Sequence, residues 1–303
     1  MPELPEVETI KRQLQHTLKG RKIKDVLVYM DKMVKVGPGK ISNIKTGSKK
    51  LSADFVKGLR GKAILDVERR AKYLVIRLSG GMNILAHLRM SGQMIYIPKK
   101  DLKNPLALSM AKAALKQTLP TKHTHVEFIF SNGDKLFYND TRQFGHMRLV
   151  SDADKAKVFA EQGLGPEPLT LKFSEFEQII AAHPQKRAKD FLLNQEVIAG
   201  IGNIYADEAL FMSRISPTRK VGALKKEQRA LLFKSIQKVL EKAIKAGGSS
   251  IEYFLMTNGD SGKFANEHLV YGKAGEFCSN CGRPLKSAKI GSRTSTFCSY
   301  CQK

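Results

Sequence analysis

The start of the chain carries hydrophobic side chains at the period of an α-helix. Four of them recur at intervals of three or four residues: Val7, Ile10, Leu14 and Leu18. This spacing places them on one face of a helix, and Pro5 supplies the fixed φ that favours a first helical turn. The pattern predicts a helix over 5–18, ended by Gly20, which would hold the residues before it still.

Between about residues 23 and 150 the pattern changes from the helical period to the alternation typical of β-strands. Alternation is clearest over 73–78, and Asn132-Gly133 lies between two further strand patterns at 125–130 and 135–138. An Asn-Gly pair between two such runs is a strong hairpin signal. Regularly spaced strands without helices between them predict an antiparallel β-sandwich.

Two lysine-rich stretches, 31–54 and 97–122, interrupt the strand pattern. The second is predicted to contain its own helix, opened by Asn104-Pro105 and closed before Pro120, because proline favours the first helical turn and ends a helix that runs into it.

The pattern becomes helical again after a linker rich in glycine and proline, 163–168. Hydrophobic periodicity predicts helices over 173–182, 189–194, 204–212 and 225–246. The polar, glycine-rich segment 257–263 is expected to be a mobile loop. The fold class is therefore α+β: an N-terminal antiparallel β-sandwich domain with an N-terminal helix at 1–162, and a helical domain at 163–265.

All four cysteines fall in the last 26 residues, as Cys278-x2-Cys281 and, sixteen residues later, Cys298-x2-Cys301. Two such pairs at this separation can place four thiolates tetrahedrally around one Zn²⁺. The zinc would be structural, because four protein ligands leave no position for water. We therefore predict a zinc-ribbon β-hairpin at 266–303, in a protein kept in a reducing cytoplasm.

The net charge of the chain limits the classes of partner that it is expected to bind. Lysine and arginine number 52 against 28 aspartates and glutamates, a formal net charge of +24. Such a field favours a polyanion, although charge alone does not separate a DNA-binding protein from a generally basic one. An anionic membrane surface is not favoured as the partner, because no basic amphipathic anchor is visible in the sequence. Neither a membrane span nor a signal peptide is visible.

The second residue has chemical potential of its own. Removal of Met1 would expose Pro2 as a secondary amine with a pKa of about 8, which can attack an electrophilic carbon and form an iminium ion. Glu3 beside it could donate a proton to the departing oxygen. Taken alone, this start is weak evidence for catalysis.

Six motifs, spread in a consistent order from residue 2 to the ribbon, strengthen the evidence for catalysis. They are Pro2-Glu3-Leu4-Pro5-Glu6, Arg69-Arg70-Ala71-Lys72-Tyr73, His87-Leu88-Arg89-Met90-Ser91-Gly92, Asp140-Thr141-Arg142-Gln143-Phe144-Gly145, Gly200-Ile201-Gly202-Asn203-Ile204-Tyr205 and Val270-Tyr271-Gly272. Together with the cysteine pairs, they resemble the formamidopyrimidine-DNA glycosylase family.

The resemblance implies a bifunctional DNA glycosylase and AP lyase that excises oxidised purines from duplex DNA. Pro2 would be the nucleophile at C1′ of the damaged nucleotide, and Glu3 the acid that helps to open the sugar. Lys72, which the alternation places on a strand, would donate a proton during β-elimination, and Arg293 of the ribbon would serve δ-elimination. Without the resemblance, Lys72 would be interpreted as an ordinary surface lysine.

The resemblance also implies a set of DNA contacts. Met90, Arg142 and Phe144 match side chains that fill the gap left by a flipped base, a role that suits a thioether, a guanidinium and a ring. The residues alone would instead favour Met90 and Phe144 as core side chains.

Phosphate contacts are implied for His123, Lys189 and Asn203, the last two in a segment that resembles a helix–two-turn–helix domain. The sequence does not separate His123 from His125, and it favours His87 as a structural histidine.

Three features depart from the family pattern. The two stretches 31–54 and 97–122 have no counterpart in it; they could extend the DNA footprint or be surface elaborations, and we favour the second. Asp190 replaces a proline, and Pro184 occupies the place of a phosphate-binding lysine, so that Lys186 or Arg187 would take over that contact.

Two alternatives remain open beside the oxidised-purine enzyme. One is an endonuclease VIII-like enzyme for oxidised pyrimidines, and the other is a non-catalytic protein that binds damaged DNA. In every case we expect a monomer whose partner is double-stranded DNA containing oxidised bases or abasic sites, bound in a basic cleft.

Overall fold

A computed structural model of the chain describes residues 1–39, 47–102, 109–110 and 115–303. These residues form two compact units, Met1–Gln162 with Gly247–Lys263 and Gly163–Ala246 with Phe264–Lys303. Residues 247–263 thus fold with the first unit, whereas the sequence pattern places them in the second domain. Within the described ranges, no helix is long and apolar enough to cross a membrane.

The first unit is built from three α-helices and eleven strands among the described residues. In chain order they are α1 (Leu4–Leu18), β1 (Ile23–Val28), β2 (Val34–Val36), α2 (Lys49–Leu59), β3 (Ile64–Arg70), β4 (Tyr73–Leu78), β5 (Met82–His87), β6 (Gly92–Ile97), β7 (Ser109–Met110), β8 (Leu115–Thr118), β9 (Thr124–Phe130), β10 (Lys135–Asp140), β11 (His146–Ser151) and α3 (Asp152–Glu161).

Two sheets form the predicted sandwich. One has the strand order β1-β9-β10-β6 and the other β2-β11-β5-β4-β3. All neighbours in both sheets are antiparallel except β2 and β11, which run parallel. A continuous hydrophobic core includes buried residues of both sheets and the predicted face of α1, which confirms the helical pattern at the start of the chain.

Part of the stretch 31–54 contributes to this core, and the expectation of a surface elaboration is wrong for Met33 and Val34. Met33 and Val34 are fully buried, and α2 buries Phe55 and Leu59 against the same cluster. Ser48 begins α2 by accepting a hydrogen bond from the backbone N–H of Leu51, a typical N-cap. The strands are therefore not free of intervening helices.

The helix predicted inside 97–122 is also wrong where the structure describes it. Ser109–Met110 and Leu115–Thr118 form an antiparallel strand pair, which is incompatible with a helix reaching Pro120. The predicted helix start at Asn104-Pro105 lies outside the described residues.

The segment 247–263 is anchored on the sandwich by both apolar and polar contacts. Phe254 lies in the main core and Leu255 in a smaller cluster with β6 and β10. The backbone N–H and the hydroxyl of Thr257 donate to Gln13 Oε1 at 2.9 and 3.0 Å. The predicted mobile loop at 257–263 therefore begins at a firmly bonded residue.

The second unit contains four helices and one hairpin: α4 (Phe173–Ala182), α5 (Ala188–Leu193), α6 (Asn203–Met212), α7 (Lys226–Lys245), β12 (Lys286–Ile290) and β13 (Arg293–Phe297). Each helix lies within one residue of its predicted bounds. The β12–β13 hairpin carries the cysteine pairs at its base, as the ribbon prediction requires.

Burial of α2 predicts that this region contributes to stability. Phe55→Ala should lower the free energy of unfolding of the first unit by about 3–5 kcal/mol, because a fully buried aromatic side chain is replaced by a cavity. Urea unfolding followed by circular dichroism measures this change. The exposed neighbour Asp54 provides the control, since Asp54→Ala should change stability by no more than about 0.5 kcal/mol. Equal effects of the two variants would contradict the core assignment.

Candidate functional site

The first residues of the chain are held in place by the start of α1. Met1 is 42% exposed, whereas Pro2 and Glu3 are buried. Glu3 is the N-cap of α1 and forms a capping box with Glu6, whose Oε2 accepts the Glu3 N–H at 2.8 Å. The other oxygen of Glu6 accepts the backbone N–H of Ser249 at 2.8 Å. Pro2 and Glu3 therefore have a fixed position.

Lys72 lies in the two-residue turn between β3 and β4, and its placement on a strand is wrong by one residue. Ala71 has a φ of +52°, a left-handed conformation that ends the strand alternation. The interpretation as a surface lysine is also wrong, since Lys72 is only 7% exposed.

An ion pair ties this turn to α1. Arg69 donates to Glu8 Oε2 through Nε at 2.9 Å and to the carbonyl oxygen of Ala71 through Nη1 at 3.0 Å. Burial opposes ionisation of Glu8, but hydrogen bonds from Arg69 and Arg12 outweigh it and hold the pKa of Glu8 below its usual value. The arrangement joins the Lys72 turn to the helix that carries Pro2 and Glu3.

Met90 lies in a tight turn between β5 and β6. The turn closes through a hydrogen bond from Gly92 N–H to the Leu88 carbonyl oxygen at 2.9 Å. A Cβ at Gly92 would lie 2.6 Å from that oxygen, so the close approach requires glycine. Met90 itself is half-buried.

The loop between β10 and β11 carries Arg142 and Phe144 and is organised by Asp140. The Asp140 carboxylate is fully buried and accepts hydrogen bonds from Arg142 N–H and Gly145 N–H at 3.2 and 2.7 Å. Phe144 is 47% exposed, and the Arg142 guanidinium lies over its ring at 5.2 Å from the centroid. The interpretation of Phe144 as a core residue is therefore wrong.

The structure separates the histidines that the sequence could not. His125 is buried, and its Nε2 lies 2.8 Å from the Asp140 carbonyl oxygen, whereas His123 is half-buried in the turn before β9. His87 is structural, as expected: its Nδ1 accepts the Arg89 N–H at 3.0 Å. Burial and the nearby Arg89 hold the pKa of His87 well below its usual value, so the ring is neutral.

Lys189 of the second unit is not placed for the phosphate contact that the family resemblance implies. Its side chain is completely buried, and Nζ donates to Asp207 Oδ1 at 2.7 Å and to the Asn203 carbonyl oxygen at 3.1 Å. A buried ammonium needs such partners because burial removes its hydration. Lys189 thus orders the start of α6, and its assignment as a direct DNA contact is corrected.

Asn203 and Arg293 lie on neighbouring segments of the second unit. Asn203 opens α6 and donates through Nδ2 to the Thr294 carbonyl oxygen of β13 at 3.1 Å. Arg293 begins β13 and is exposed. Asp207 also accepts hydrogen bonds from the Ser295 hydroxyl and the Thr296 N–H. One buried carboxylate therefore joins α5, α6 and the ribbon.

One of the two residues proposed to replace the phosphate contact at Pro184 already has an acidic partner. Arg187 donates to Asp190 Oδ2 through Nε at 2.6 Å. A Cβ at Gly291, in the turn of the ribbon, would lie 2.5 Å from Asp190 Oδ1. Asp190 therefore has a local role where helix and ribbon meet.

The four cysteines lie together as a metal site requires. Their sulfur atoms are all within 4.8 Å of one another, with Cys278–Cys301 at 3.9 Å and Cys281–Cys298 at 3.6 Å. These separations are too long for disulfides. They match the edge of about 3.8 Å that follows for a tetrahedron with metal–sulfur bonds of about 2.3 Å. The donor set fits one metal ion with a preference for thiolates.

Buried carboxylates organise these segments, and they were not predicted from the sequence. Asp140 and Asp207 each lie next to a predicted site residue. Glu208 accepts three consecutive backbone N–H groups, those of Leu269, Val270 and Tyr271, at 2.8 to 2.9 Å. An acidic residue inside an apolar run of a highly basic chain is the signal that could have found Asp207 and Glu208.

Comparisons with known proteins agree over the full chain. The model of the formamidopyrimidine-DNA glycosylase N-terminal domain matches residues 1–147, and that of the H2TH domain of the same enzyme matches residues 164–254. A formamidopyrimidine-DNA glycosylase of Desulfitobacterium hafniense is 39% identical over the whole of both chains.

Solved structures of wild-type Lactococcus lactis Fpg (MutM) are similar as well. One is bound to DNA containing N7-benzyl-Fapy-dG and shares 34% identity, and the other is bound to DNA containing an oxidised pyrimidine and shares 33%. Each has a TM-score of 0.82, and both chains are covered completely.

The corrected position of Lys189 can be tested by separating stability from DNA contact. Lys189→Met should lower the free energy of unfolding of the second unit by about 3–5 kcal/mol, because Asp207 loses the cation that compensates its burial. The dependence of DNA affinity on salt should keep its slope. A fall in that slope by about 0.9 would mean that Lys189 neutralises a phosphate after all. Lys186→Met, in the same segment, is the matched control for a half-buried cation.

Proposed function

Because the chain belongs to the formamidopyrimidine-DNA glycosylase family, we propose that it excises oxidised purines from duplex DNA and then cleaves the strand. The substrates we propose are 8-oxoguanine and formamidopyrimidines. The observation that carries the proposal is the anchored start of the chain, where Pro2 is buried beside Glu3 and Glu3 forms the capping box of α1 with Glu6. A DNA-binding protein without catalysis would have no use for Pro2, Glu3 and Lys72 together.

Pro2 acts as the nucleophile once Met1 has been removed. In the intact chain the Pro2 nitrogen belongs to an amide and has no available lone pair. Removal of Met1 turns this nitrogen into a secondary amine. The exposure of Met1 supports access of an aminopeptidase to the Met1–Pro2 bond. The amine then attacks C1′ of the damaged nucleotide, and the base departs with the electron pair of the glycosidic bond.

Three further side chains handle the proton transfers and eliminations that follow. Glu3 protonates the ring oxygen as the sugar opens to the iminium ion. Lys72, fixed in its turn by the Arg69–Glu8 pair, serves as the proton donor during β-elimination, which expels the 3′-phosphate. Arg293, exposed on the ribbon, assists δ-elimination, which expels the 5′-phosphate.

Met90, Arg142 and Phe144 fill the space that a flipped nucleotide leaves in the duplex. The C1′ target is shielded in stacked DNA, so the damaged nucleotide must leave the helix. An exposed ring with a guanidinium over it combines a wedge for the stack with donors for the orphaned base. His123 and Asn203 contact phosphates, and the excess of cations makes affinity strongly dependent on salt.

The ribbon holds one structural Zn²⁺ through Cys278, Cys281, Cys298 and Cys301. The separations between the sulfur atoms support this assignment, because Zn²⁺ favours tetrahedral thiolate sites. Such an ion would hold the base of the hairpin that carries Arg293.

Oxidised pyrimidines are the competing substrate class. The Lactococcus lactis relative has been solved with DNA of either lesion class, so binding alone does not separate them. We favour purines because the chain has the full set of Met90, Arg142 and Phe144 together with Leu4-Pro5 in its first motif.

Borohydride trapping tests the chemistry. A duplex with 8-oxoguanine opposite cytosine should give a covalent adduct with the protein, because borohydride reduces the iminium ion to a stable amine. The adduct should disappear in Pro2→Gly and persist in Pro5→Ala, which changes a proline of the same helix start. Tight binding with neither adduct nor strand cleavage would leave only the binding function. Faster turnover of a duplex with an oxidised pyrimidine would overturn the substrate assignment.

Loss of one cysteine tests the metal. Cys298→Ser should release one zinc ion per chain and weaken duplex binding, because the hairpin loses the ligand that orders its base. Metal content and fluorescence anisotropy with labelled DNA measure the two effects. Ser299→Ala, an exposed neighbour, should change neither. Unchanged DNA affinity after zinc release would show that the ribbon does not contribute to binding.

A further inference from the structure

We propose that Ser91 and Asp140 are positioning residues that couple the two loops carrying Met90, Arg142 and Phe144, so that these side chains enter DNA as one unit. The inference rests on the proposed role of those three side chains in filling the space of the flipped nucleotide. Neither Ser91 nor Asp140 would touch the reacting atoms.

The topology places the two loops side by side. Residues 88–91 lead from β5 to β6, and residues 141–145 lead from β10 to β11, so that both loops pass between the two sheets of the sandwich. Their ends are paired in both sheets: His87 with His146, and Gly92 with Asp140. The loops therefore begin and end at matching positions.

A hydroxyl and a carboxylate join the two loops at the ends that adjoin β6 and β10. The Ser91 hydroxyl donates to Asp140 Oδ1 at 2.5 Å and accepts the Arg142 N–H at 2.9 Å. Ser91 is 2% exposed and Asp140 is completely buried, so water does not compete for these bonds. A buried network of this kind is rigid when its members are satisfied.

The loops need this support because their backbone is otherwise unfavourable. Arg89 and Gln143 have φ angles of +52° and +57°, a region that residues with side chains seldom adopt. At Gly145 a Cβ would overlap the Tyr138 hydroxyl and lie 3.0 Å from Asp140 Oδ2. This loop is therefore packed so closely against Asp140 that there is no space for a side chain at position 145. Hydrogen bonds to the Asp140 carboxylate fix both strained loops relative to each other.

Coupling has a consequence for the reaction on duplex DNA. If the loops move as one unit, losing the side chain of one loop also misplaces the other, and the two losses overlap. If they move independently, the two losses multiply. Non-additivity of this kind is the measurable sign of an interaction between sites.

Ser91→Ala is the variant that tests the coupling, because it removes the bridge while Asp140 keeps its bonds to Arg142 and Gly145. We expect kcat/KM for 8-oxoguanine in duplex DNA to fall about tenfold or more, since misplacement of a positioning group is costly. Cleavage of an abasic site in a single strand, which has no orphaned base, should stay within twofold. Ser213→Ala controls for the loss of a buried serine hydroxyl, here in the second unit.

A double-mutant cycle gives a measurement that would not change if the role of Ser91 were only structural. Met90→Ala and Arg142→Ala should combine to less than the product of their single effects when Ser91 is present, and to the full product in the Ser91→Ala background. Full multiplication in both backgrounds would overturn the coupling.

A fluorescent reporter provides a second measurement that does not depend on turnover. The chain contains no tryptophan, so Phe144→Trp introduces one probe into the loop. Ser91→Ala should lower its anisotropy in the free protein and reduce its quenching by lesion-containing duplex. An unchanged signal would contradict the proposal.

The outcomes separate this inference from the proposed function. Absence of excision by the unmodified chain would remove the function itself. Normal excision together with a Ser91→Ala variant that matches Ser213→Ala would remove only the coupling.

Discussion

The buried carboxylate of Asp140 is the contact on which the candidate DNA-reading surface depends. It lies where two loops pass between the sheets, and it binds backbone N–H groups rather than a cation. A carboxylate can accept several such bonds at once, so one side chain fixes a loop that lacks regular secondary structure. The exposed Arg142 and Phe144 are therefore presented by a rigid base, and the sandwich serves as their support.

Buried carboxylates also hold other motifs of the chain in place. Glu6 fixes the start of the chain against Ser249, Asp207 joins two helices to the ribbon, and Glu208 binds the backbone at Val270. Burial makes each carboxylate costly unless its oxygens are satisfied. Each of these carboxylates has at least one backbone N–H among its partners, so each motif is held by a local geometry that few other side chains could replace.

The periodic elements could be predicted from sequence, and the contacts between distant residues could not. The face of α1 and the hairpin at Asn132-Gly133 follow from local spacing, and they were confirmed. The helix α2 was missed because its apolar positions are hidden among lysines, although Ser48 offers a cap. Lys189 was misassigned because burial of its ammonium depends on Asp207, eighteen residues away, and nothing near Lys189 in the chain reveals that partner.

The distribution of charge between interior and surface connects these devices to DNA binding. Among the described residues, the buried acidic side chains are Glu3, Glu6, Glu8, Glu127, Asp134, Asp140, Asp207 and Glu208, whereas only Lys72, Arg148 and Lys189 are buried cations. Acidic groups used to organise loops are thereby withdrawn from solvent. Among the described residues, the exposed charged side chains are therefore enriched in lysine and arginine beyond the composition of the chain, which favours attraction to phosphate. The buried carboxylates thus serve both to shape the motifs and to keep negative charge away from the DNA.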